Sequence, residues 1–342
     1  MSKDFIIGLA IILLAGVSNG SFAAPMKHAR GWKWENIWLF FTFMALVLLP
    51  LALTVKFVPH LGQLYTTAPW KELLPALIFG FLWGIAQATF GIAIEAVGMA
   101  LAIAVVVGLT GFLGSLIPML VLHPADLLHP RGIALMISLP ILVLALTLYG
   151  IAGRRREKEQ APSANASSQA RMSFAAGLGI SIFTGVFGAL LNFGFAFSGP
   201  LQARCESLGT RPMFATWAVW LLVLVAGFIP NLIYCGYLLF RNRTWSAYGV
   251  STWPRAALMG LGMAVLWLGG VFGYGVGSTF FGGSGTSFGF AFLIASTVLV
   301  SNLLGLIAGE WTGTSARTRR LLFAAVATVL LAMVVLSLGG MF

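Results

Sequence analysis

The second half of the chain repeats a pattern of its first half, and this feature constrains the fold more than any other. Gly8, Leu9, Ile11, Gly16 and Val17 return with identical spacing as Gly177, Leu178, Ile180, Gly185 and Val186. Leu82-Trp83 with Phe90-Gly91 returns as Leu266-Trp267 with Tyr274-Gly275. Each half holds five long hydrophobic segments, and two copies of an odd-numbered unit must lie in a bilayer in opposite orientations. Inverted repeats of this kind are typical of secondary transporters, whose substrate site lies between the halves near the bilayer midplane.

The hydrophobic segments are long enough to cross a bilayer as helices. About 20 apolar residues cross a hydrocarbon core of ~30 Å, and the sequence predicts spans at residues 5–24, 36–56, 73–94, 97–121, 132–152, 173–197, 213–239, 256–276, 285–308 and 317–339. Only 8% of the residues are charged, against roughly 25% in soluble domains, so an ordinary water-facing surface is excluded. The sequence therefore predicts an all-α integral membrane protein with ten transmembrane helices in a 5+5 inverted-topology repeat.

A polar stretch between the two halves predicts the domain boundary. Residues 154–172 are rich in charged and small polar residues, a composition typical of a flexible linker. We therefore predict a first five-helix repeat at residues 1–153, this linker, and a second five-helix repeat at residues 173–342.

The basic residues predict an orientation in the membrane. Of the 20 Lys and Arg residues, 14 fall in the connections that follow spans 1, 5, 7 and 9. Because positively charged connections remain in the cytoplasm, we expect both termini on the outer side. The same spread over many loops gives no concentrated patch for nucleic acid, and the membrane lipid is the expected surrounding partner.

The residues that carry most catalytic chemistry are not clustered in this sequence. There is no His, Cys and carboxylate grouping with metal-ligand spacing and no glycine-rich phosphate loop. We therefore expect no metal, no cofactor and no enzyme. An integral-membrane transferase would need convergent acids or a water-facing catalytic domain, and the loops are too short for one. A sugar-sensing or scaffolding membrane protein is a further alternative that the repeat disfavours.

Aromatic and amide side chains near the predicted midplane are the candidate substrate ligands. Trp83 and Trp267 occupy equivalent positions of the repeat, Gln87 lies one turn beyond Trp83, and Tyr274 lies two turns beyond Trp267. Indole rings stack on the apolar face of a sugar, while amides and phenols bind its hydroxyl groups. Asn192 in the sixth span is the preferred ligand among the intramembrane asparagines. The alternative roles are plain packing for the tryptophans and hydrogen bonding between helices for the asparagine.

Several motifs carry a family resemblance, strongest in residues 24–120 and 300–320. They are Ala24-Pro25-Met26-Lys27, Trp32-x-Trp34-Glu35-x-x-Trp38, Leu49-Pro50, Trp83-Gly84-Ile85, Phe90-Gly91, Val97-Gly98-Met99, Gly108-Leu109-Thr110 and Gly309-Glu310-Trp311. Together they resemble the L-rhamnose–proton symporter family of the drug/metabolite transporter superfamily. The resemblance implies uptake of L-rhamnose or a related deoxy sugar across the bacterial inner membrane, with protons as the coupling ion.

Proton symport requires a group that changes its protonation during the cycle, yet no acid falls at a midspan position. Glu95, Glu310 and Glu35 lie at span ends and are the proton-coupling candidates. The alternative reading is a carrier of the same superfamily for another solute, such as an amino acid, an amphiphile or another metabolite, or an uncoupled facilitator. In either case we expect alternating access of the two halves around the central site.

Overall fold

The protein is a bundle of long helices. The computed structural model describes residues 3–160, 173–249 and 251–340, and all regular structure in these ranges is helical. Ten helices there are long and apolar enough to cross a membrane, which confirms the all-α fold with ten spans. We call them spans 1 to 10: Lys3–Ser21, Trp34–Phe57, Trp70–Val97, Met99–Leu122, Pro130–Gln160, Phe174–Ala196, Pro212–Asn242, Trp253–Thr279, Gly285–Ile307 and Ala316–Gly339.

Span 2 contains one wide turn. Its α-helix changes to a π-helical turn at Met44–Leu48 and resumes as an α-helix at Leu49–Phe57. Pro50 follows the wide turn, and a proline has no amide hydrogen to donate to the carbonyl four residues earlier. An irregular turn accommodates that missing bond, and such turns are frequent at functional sites.

The helices of the two halves pack against each other in matched pairs. Span 1 packs on spans 8 and 9, while span 6 packs on spans 3 and 4. Span 2 likewise packs on span 8, and span 7 packs on span 3. Spans 5 and 10 form one further extensive contact between the halves.

Glycines allow the closest of these contacts. Gly80 and Gly84 of span 3 face Val223 and Gly227 of span 7, and a methyl group added to Gly84 would lie 2.9 Å from the Gly227 Cα. Small residues let helix backbones approach in a membrane, where dispersion contacts replace the hydrophobic effect. Spans 3 and 7 are therefore held at a fixed separation beside Trp83.

The connections that follow the odd-numbered spans meet at one end of the bundle, which we call the basic end. Lys27 after span 1, Arg156 in span 5 and Glu310 after span 9 lie together there. The other end, which we call the terminal end, holds the even-numbered connections, where Glu72 and Arg204 form a bidentate ion pair.

The predicted linker begins later than the sequence composition indicated. Residues 154–160 continue the helix of span 5, because Glu159 accepts hydrogen bonds from Ser315 and Thr318 at the start of span 10. Gln160 donates to the Glu310 carbonyl at 2.9 Å. The rest of the predicted linker, residues 161–172, lies outside the described residues.

Candidate functional site

Two of the predicted substrate ligands meet at the centre of the bundle. The rings of Trp83 in span 3 and Trp267 in span 8 stack with their centroids 5.8 Å apart and their planes 18° apart. Both side chains are buried, with 3% and 9% of their surfaces exposed. The repeat relates these positions in the sequence, and the structure places the two rings against each other.

A small cavity lies beside the tryptophan pair. Its volume is about 20 Å³, and its walls are Phe22, Trp38, Phe41, Thr42, Leu46, Trp83, Gln87 and Trp267. A cavity of this size holds roughly one water molecule, so the described conformation has no room for a sugar between the rings. Spans 2, 3 and 8 must move apart before a larger solute can enter.

The polar groups of this cavity come from two helices. Gln87 lies one turn beyond Trp83, and its amide makes no hydrogen bond to any described residue. Thr42 donates its hydroxyl hydrogen to the Trp38 carbonyl at 2.9 Å. Trp38 in turn donates its indole hydrogen to Asn231 of span 7. The unused donor and acceptor groups in the cavity are therefore chiefly those of Gln87.

The other two predicted ligands form a separate buried network nearer the terminal end. Tyr274 donates its hydroxyl hydrogen to the Asn192 side-chain oxygen at 2.5 Å and also lies 2.7 Å from the Thr286 carbonyl. The Asn192 amide donates to the carbonyls of Gly114 at 2.8 Å and Thr286 at 3.2 Å. This network ties together spans 4, 6, 8 and 9, and neither Asn192 nor Tyr274 lines the tryptophan cavity.

A polar vestibule opens above this network at the terminal end. Its volume is about 300 Å³, and its polar walls come from His123, Gln202, Glu206, Thr279 and Thr286. Thr286 contributes to both features, because its carbonyl accepts the hydrogen bonds of Tyr274 and Asn192. The network therefore forms part of the floor of the vestibule.

Glu35 is the buried carboxylate of this protein. It is 6% exposed, and it is the single charged side chain among the buried residues of the described chain. Its Oε1 accepts hydrogen bonds from Asn242 at 3.1 Å and Thr244 at 2.8 Å, at the basic end of span 7. No cation forms an ion pair with it among the described residues. Its hydrogen bonds come from neutral groups, while the positive charge of Lys33, two positions earlier in the chain, acts on it without forming an ion pair.

The position of Glu35 connects it to the tryptophan cavity. Trp38 lies one turn deeper on span 2 and Thr42 two turns deeper, so all three residues share one face of the helix, and Trp38 and Thr42 line the cavity. The sequence predicts Glu35 at a span end, where the structure places it, but does not predict its burial. The spacing of residues 35, 38 and 42 was the signal that could have linked it to the site.

Glu310 closes the basic end with ion pairs between the two halves. Its carboxylate accepts hydrogen bonds from Lys27 at 2.5 Å and from Arg156 at 3.0 Å. The Lys27 hydrogen bond, with the positive charges of Lys27 and Arg156, holds the pKa of Glu310 below its ordinary value of 4.5. Glu310 therefore stays ionised in this conformation at neutral pH.

Glu95 lies exposed near the end of span 3. It makes no hydrogen bond or ion pair within the described ranges, and its charge acts on Tyr234 of span 7. The Tyr234 ring contacts Trp34 with centroids 6.4 Å apart. Glu95 thus lies at the end of span 3 and does not line the tryptophan cavity. In the same described residues, no three His, Cys, Asp or Glu side chains form a group that could hold a metal ion.

Comparison with known proteins gives one consistent result. The model of a family described as L-rhamnose-proton symport protein matches residues 1–341. An L-rhamnose-proton symporter of Pectobacterium atrosepticum is 23% identical over 346 aligned residues, with 99% of each chain covered. One of Mannheimia succiniciproducens is 24% identical, also with 99% of each chain covered, and one of Klebsiella pneumoniae is 23% identical with the same coverage.

Proposed function

Because the chain belongs to the L-rhamnose–proton symport protein family, a family of transporters rather than enzymes, we propose that it takes up L-rhamnose or a related deoxy sugar together with protons. Ten spans make it a multi-pass membrane protein, and the family match supports the inner membrane of a bacterium as its location. At 23–24% identity the relatives support the class of solute more firmly than the particular sugar.

The proposed transport cycle is alternating access of two inverted halves, residues 1–153 and 173–342. The packing supports this division. If each span of the first half is replaced by its counterpart in the second half and vice versa, every major contact between the halves corresponds to an observed contact. Span 1 on spans 8 and 9 becomes span 6 on spans 3 and 4. Two equivalent units packed in this way can rock about a central site.

The proposed sugar site is the tryptophan cavity. The observation that carries the proposal is the stack of Trp83 on Trp267 beside the free amide of Gln87. Separation of the two rings would offer two indole faces to the apolar faces of a sugar, while Gln87 binds hydroxyl groups. Asn192 and Tyr274 lie on the route from the vestibule to this cavity and form its gate at the terminal end.

The proposed proton carrier is Glu35. It is buried, its hydrogen bonds come from neutral groups, and it shares a helix face with two cavity residues. Those hydrogen bonds join span 2 to the basic end of span 7, so separation of the halves exposes the carboxylate to water. Protonation would then remove the charge that Asn242 and Thr244 stabilise, which couples the proton to the movement. In the same proposal Glu310 holds the basic end closed, and Glu95 lies near that end of the bundle, at the end of span 3.

Uptake of labelled L-rhamnose into proteoliposomes, with and without an inward proton gradient, tests the proposed function. We expect saturable accumulation that the gradient stimulates. Saturable equilibration that the gradient leaves unchanged would replace symport with facilitation. Absence of uptake, with a correctly inserted and folded protein, would contradict a rhamnose carrier and favour another solute. Unlabelled sugars that lack or retain the 6-deoxy group, added as competitors, define the substrate.

A further inference from the structure

A second feature of the described structure is a groove on the outside of the bundle. Spans 4, 5 and 6 form it, and its volume is about 600 Å³. Its rim carries exposed aliphatic side chains such as Val143, Ile151 and Ile182, so the groove opens sideways to the hydrocarbon of the membrane. It is separate from the tryptophan cavity and from the vestibule.

The groove wall is apolar along almost its whole length. The polar Thr147 of this wall donates its hydroxyl hydrogen to the Val143 carbonyl at 2.8 Å, so it offers no free donor. Gly108 forms part of the floor, and a methyl group added there would have only the Leu146 side chain within 4 Å, at 3.8 Å. The protein itself therefore leaves this floor unfilled.

The length of the groove matches one leaflet of a bilayer. Its wall runs from Leu101 to Phe112 on span 4 and from Val143 to Arg154 on span 5, and eleven helical steps rise about 16 Å. Half of a ~30 Å hydrocarbon core is about 15 Å. The groove thus begins near the basic end and stops near the midplane, as one acyl chain does.

One charged residue lies in the groove, at the level of the lipid headgroups. Arg154 is exposed and takes part in none of the ion pairs among the described residues, whereas Arg156, two positions further, pairs with Glu310. Arg154 lies 6.0 Å from the centre of the Phe174 ring. Within the described part of the chain, no acidic side chain forms an ion pair with it.

We propose that this groove binds an anionic phospholipid of the leaflet at the basic end. One acyl chain lies on Gly108 between spans 4, 5 and 6, and the phosphate group pairs with Arg154. Apolar walls exclude a sugar, the leaflet-length groove fits a single chain, and the unpaired guanidinium selects a negative headgroup. Because spans 4 and 6 also carry Gly114 and Asn192 of the buried network, the lipid contacts helices that reach the terminal gate.

Native mass spectrometry of the full-length, delipidated protein tests this proposal. Phosphatidylglycerol and phosphatidylcholine with identical acyl chains are titrated separately and in competition. We expect one phosphatidylglycerol to bind at least about fivefold more tightly than phosphatidylcholine, the order of effect of one arginine near an anionic headgroup. Equal affinity of the two lipids for the wild-type protein would overturn the proposal.

Five variants separate the charge from the shape of the groove. Arg154→Gln should lose the preference for phosphatidylglycerol and Arg154→Lys should keep it, while Arg317→Gln, an equal charge change elsewhere at the basic end, should behave as wild type. Gly108→Leu fills the floor and should weaken both lipids, while Gly179→Leu, at an open position of span 6 outside the groove, should not. Retained preference in Arg154→Gln, or unchanged binding in Gly108→Leu, would contradict the site. A dimer mass that Gly108→Leu abolishes would show that a second copy of the chain occupies the groove instead.

Discussion

At the scale of single residues, two roles are open to the pair of Trp83 and Trp267: a platform for substrate and simple packing. Trp83 and Trp267 are as buried as core residues, and their stacking would suit either role. What favours a platform is the adjoining cavity with the free amide of Gln87. A tryptophan away from both the cavity and the buried network provides the comparison, and Trp217, which packs on Phe272 with centroids 4.7 Å apart, is such a residue.

We expect Trp83→Phe and Trp267→Phe to raise the sugar concentration needed for half-maximal uptake by at least about tenfold, an amount that corresponds to 1.4 kcal/mol of binding free energy. The alanine variants should lose more, because they also leave a void. Uptake kinetics and thermal unfolding are measured together, with Trp217→Phe as the control for packing. Unchanged uptake in all four folded variants would contradict the platform.

Glu35 can be tested because its amide analogue preserves its shape. Glu35→Gln keeps an oxygen that accepts the hydrogen bonds of Asn242 and Thr244, but it cannot bind and release a proton. We expect it to equilibrate sugar while losing accumulation under an imposed proton gradient. Glu95→Gln and Glu310→Gln, tested in the same assay, are the matched comparisons. Wild-type accumulation by Glu35→Gln would assign the coupling to another group.

At the scale of helices, the approach of span 3 to span 7 positions the cavity. Gly84 lies directly after Trp83, and an added methyl group would lie 2.9 Å from the Gly227 Cα, a contact with backbone that no rotamer change relieves. The helices themselves must separate to accommodate it.

We therefore expect Gly84→Ala to destabilise the protein by about 1–3 kcal/mol, the usual cost of overpacking a close contact, and to lower uptake. Gly91→Ala is the control, because the same methyl group on the same helix meets no atom within 4 Å. Thermal unfolding of both purified variants in detergent makes the comparison. Equal stability of the two variants would show that the helices separate at no cost.

At the scale of the whole molecule, the Glu310 ion pairs join the two halves at the basic end. Their contribution to the stability of this conformation is complete above the ordinary pKa of a glutamate. It is lost only as the pH falls through the lowered pKa of Glu310, below 4.5. Acidification from about pH 7.5 to about pH 5.5 therefore leaves these ion pairs intact. Any response of transport in that range must come from another group.

We expect Glu310→Gln to increase severalfold the rate at which a maleimide labels Thr42→Cys from the basic end. In the Thr42→Cys protein that retains Glu310, the labelling rate should not change between about pH 7.5 and about pH 5.5, once it is divided by the labelling rate of an exposed Arg317→Cys. Glu157→Gln is the control, because Glu157 bonds to the Ala100 amide within the first half. Identical labelling rates with Glu310→Gln and with Glu310 retained would contradict the proposal that these ion pairs hold the basic end closed.

The predicted orientation gives a further test of the molecule as a whole. An impermeant maleimide applied to spheroplasts should label Gln63→Cys, on the short helix Leu61–Thr67 at the terminal end. It should label Arg317→Cys at the basic end only after lysis. The native Cys205 and Cys235 are buried, which keeps the background low. The opposite labelling pattern would reverse the orientation and place the basic end outside.

The sequence by itself determined the class of this protein. Length and hydrophobicity of a segment are local properties, so the sequence predicts the spans within a few residues, except for the end of span 5. Span 5 continues to Gln160 through polar residues, and neither this extension nor the wide turn before Pro50 is predicted. The motifs of residues 24–120 and 300–320, taken together, predict the family, because such patterns are read along the chain without knowledge of contacts. The repeat predicts equivalent positions for Trp83 and Trp267, and the stacking of their rings is a finding of the structure.

Only the tertiary structure decided how those residues are grouped. Whether Glu35 is buried depends on Asn242 and Thr244, more than 200 positions away in the sequence. Asn192 and Tyr274 lie in a network apart from the tryptophan cavity, and Glu310 lies in an ion-pair cluster, because the rotation of each helix and its neighbours set those contacts. Helix rotation depends on packing between distant segments, which no local pattern in the sequence specifies.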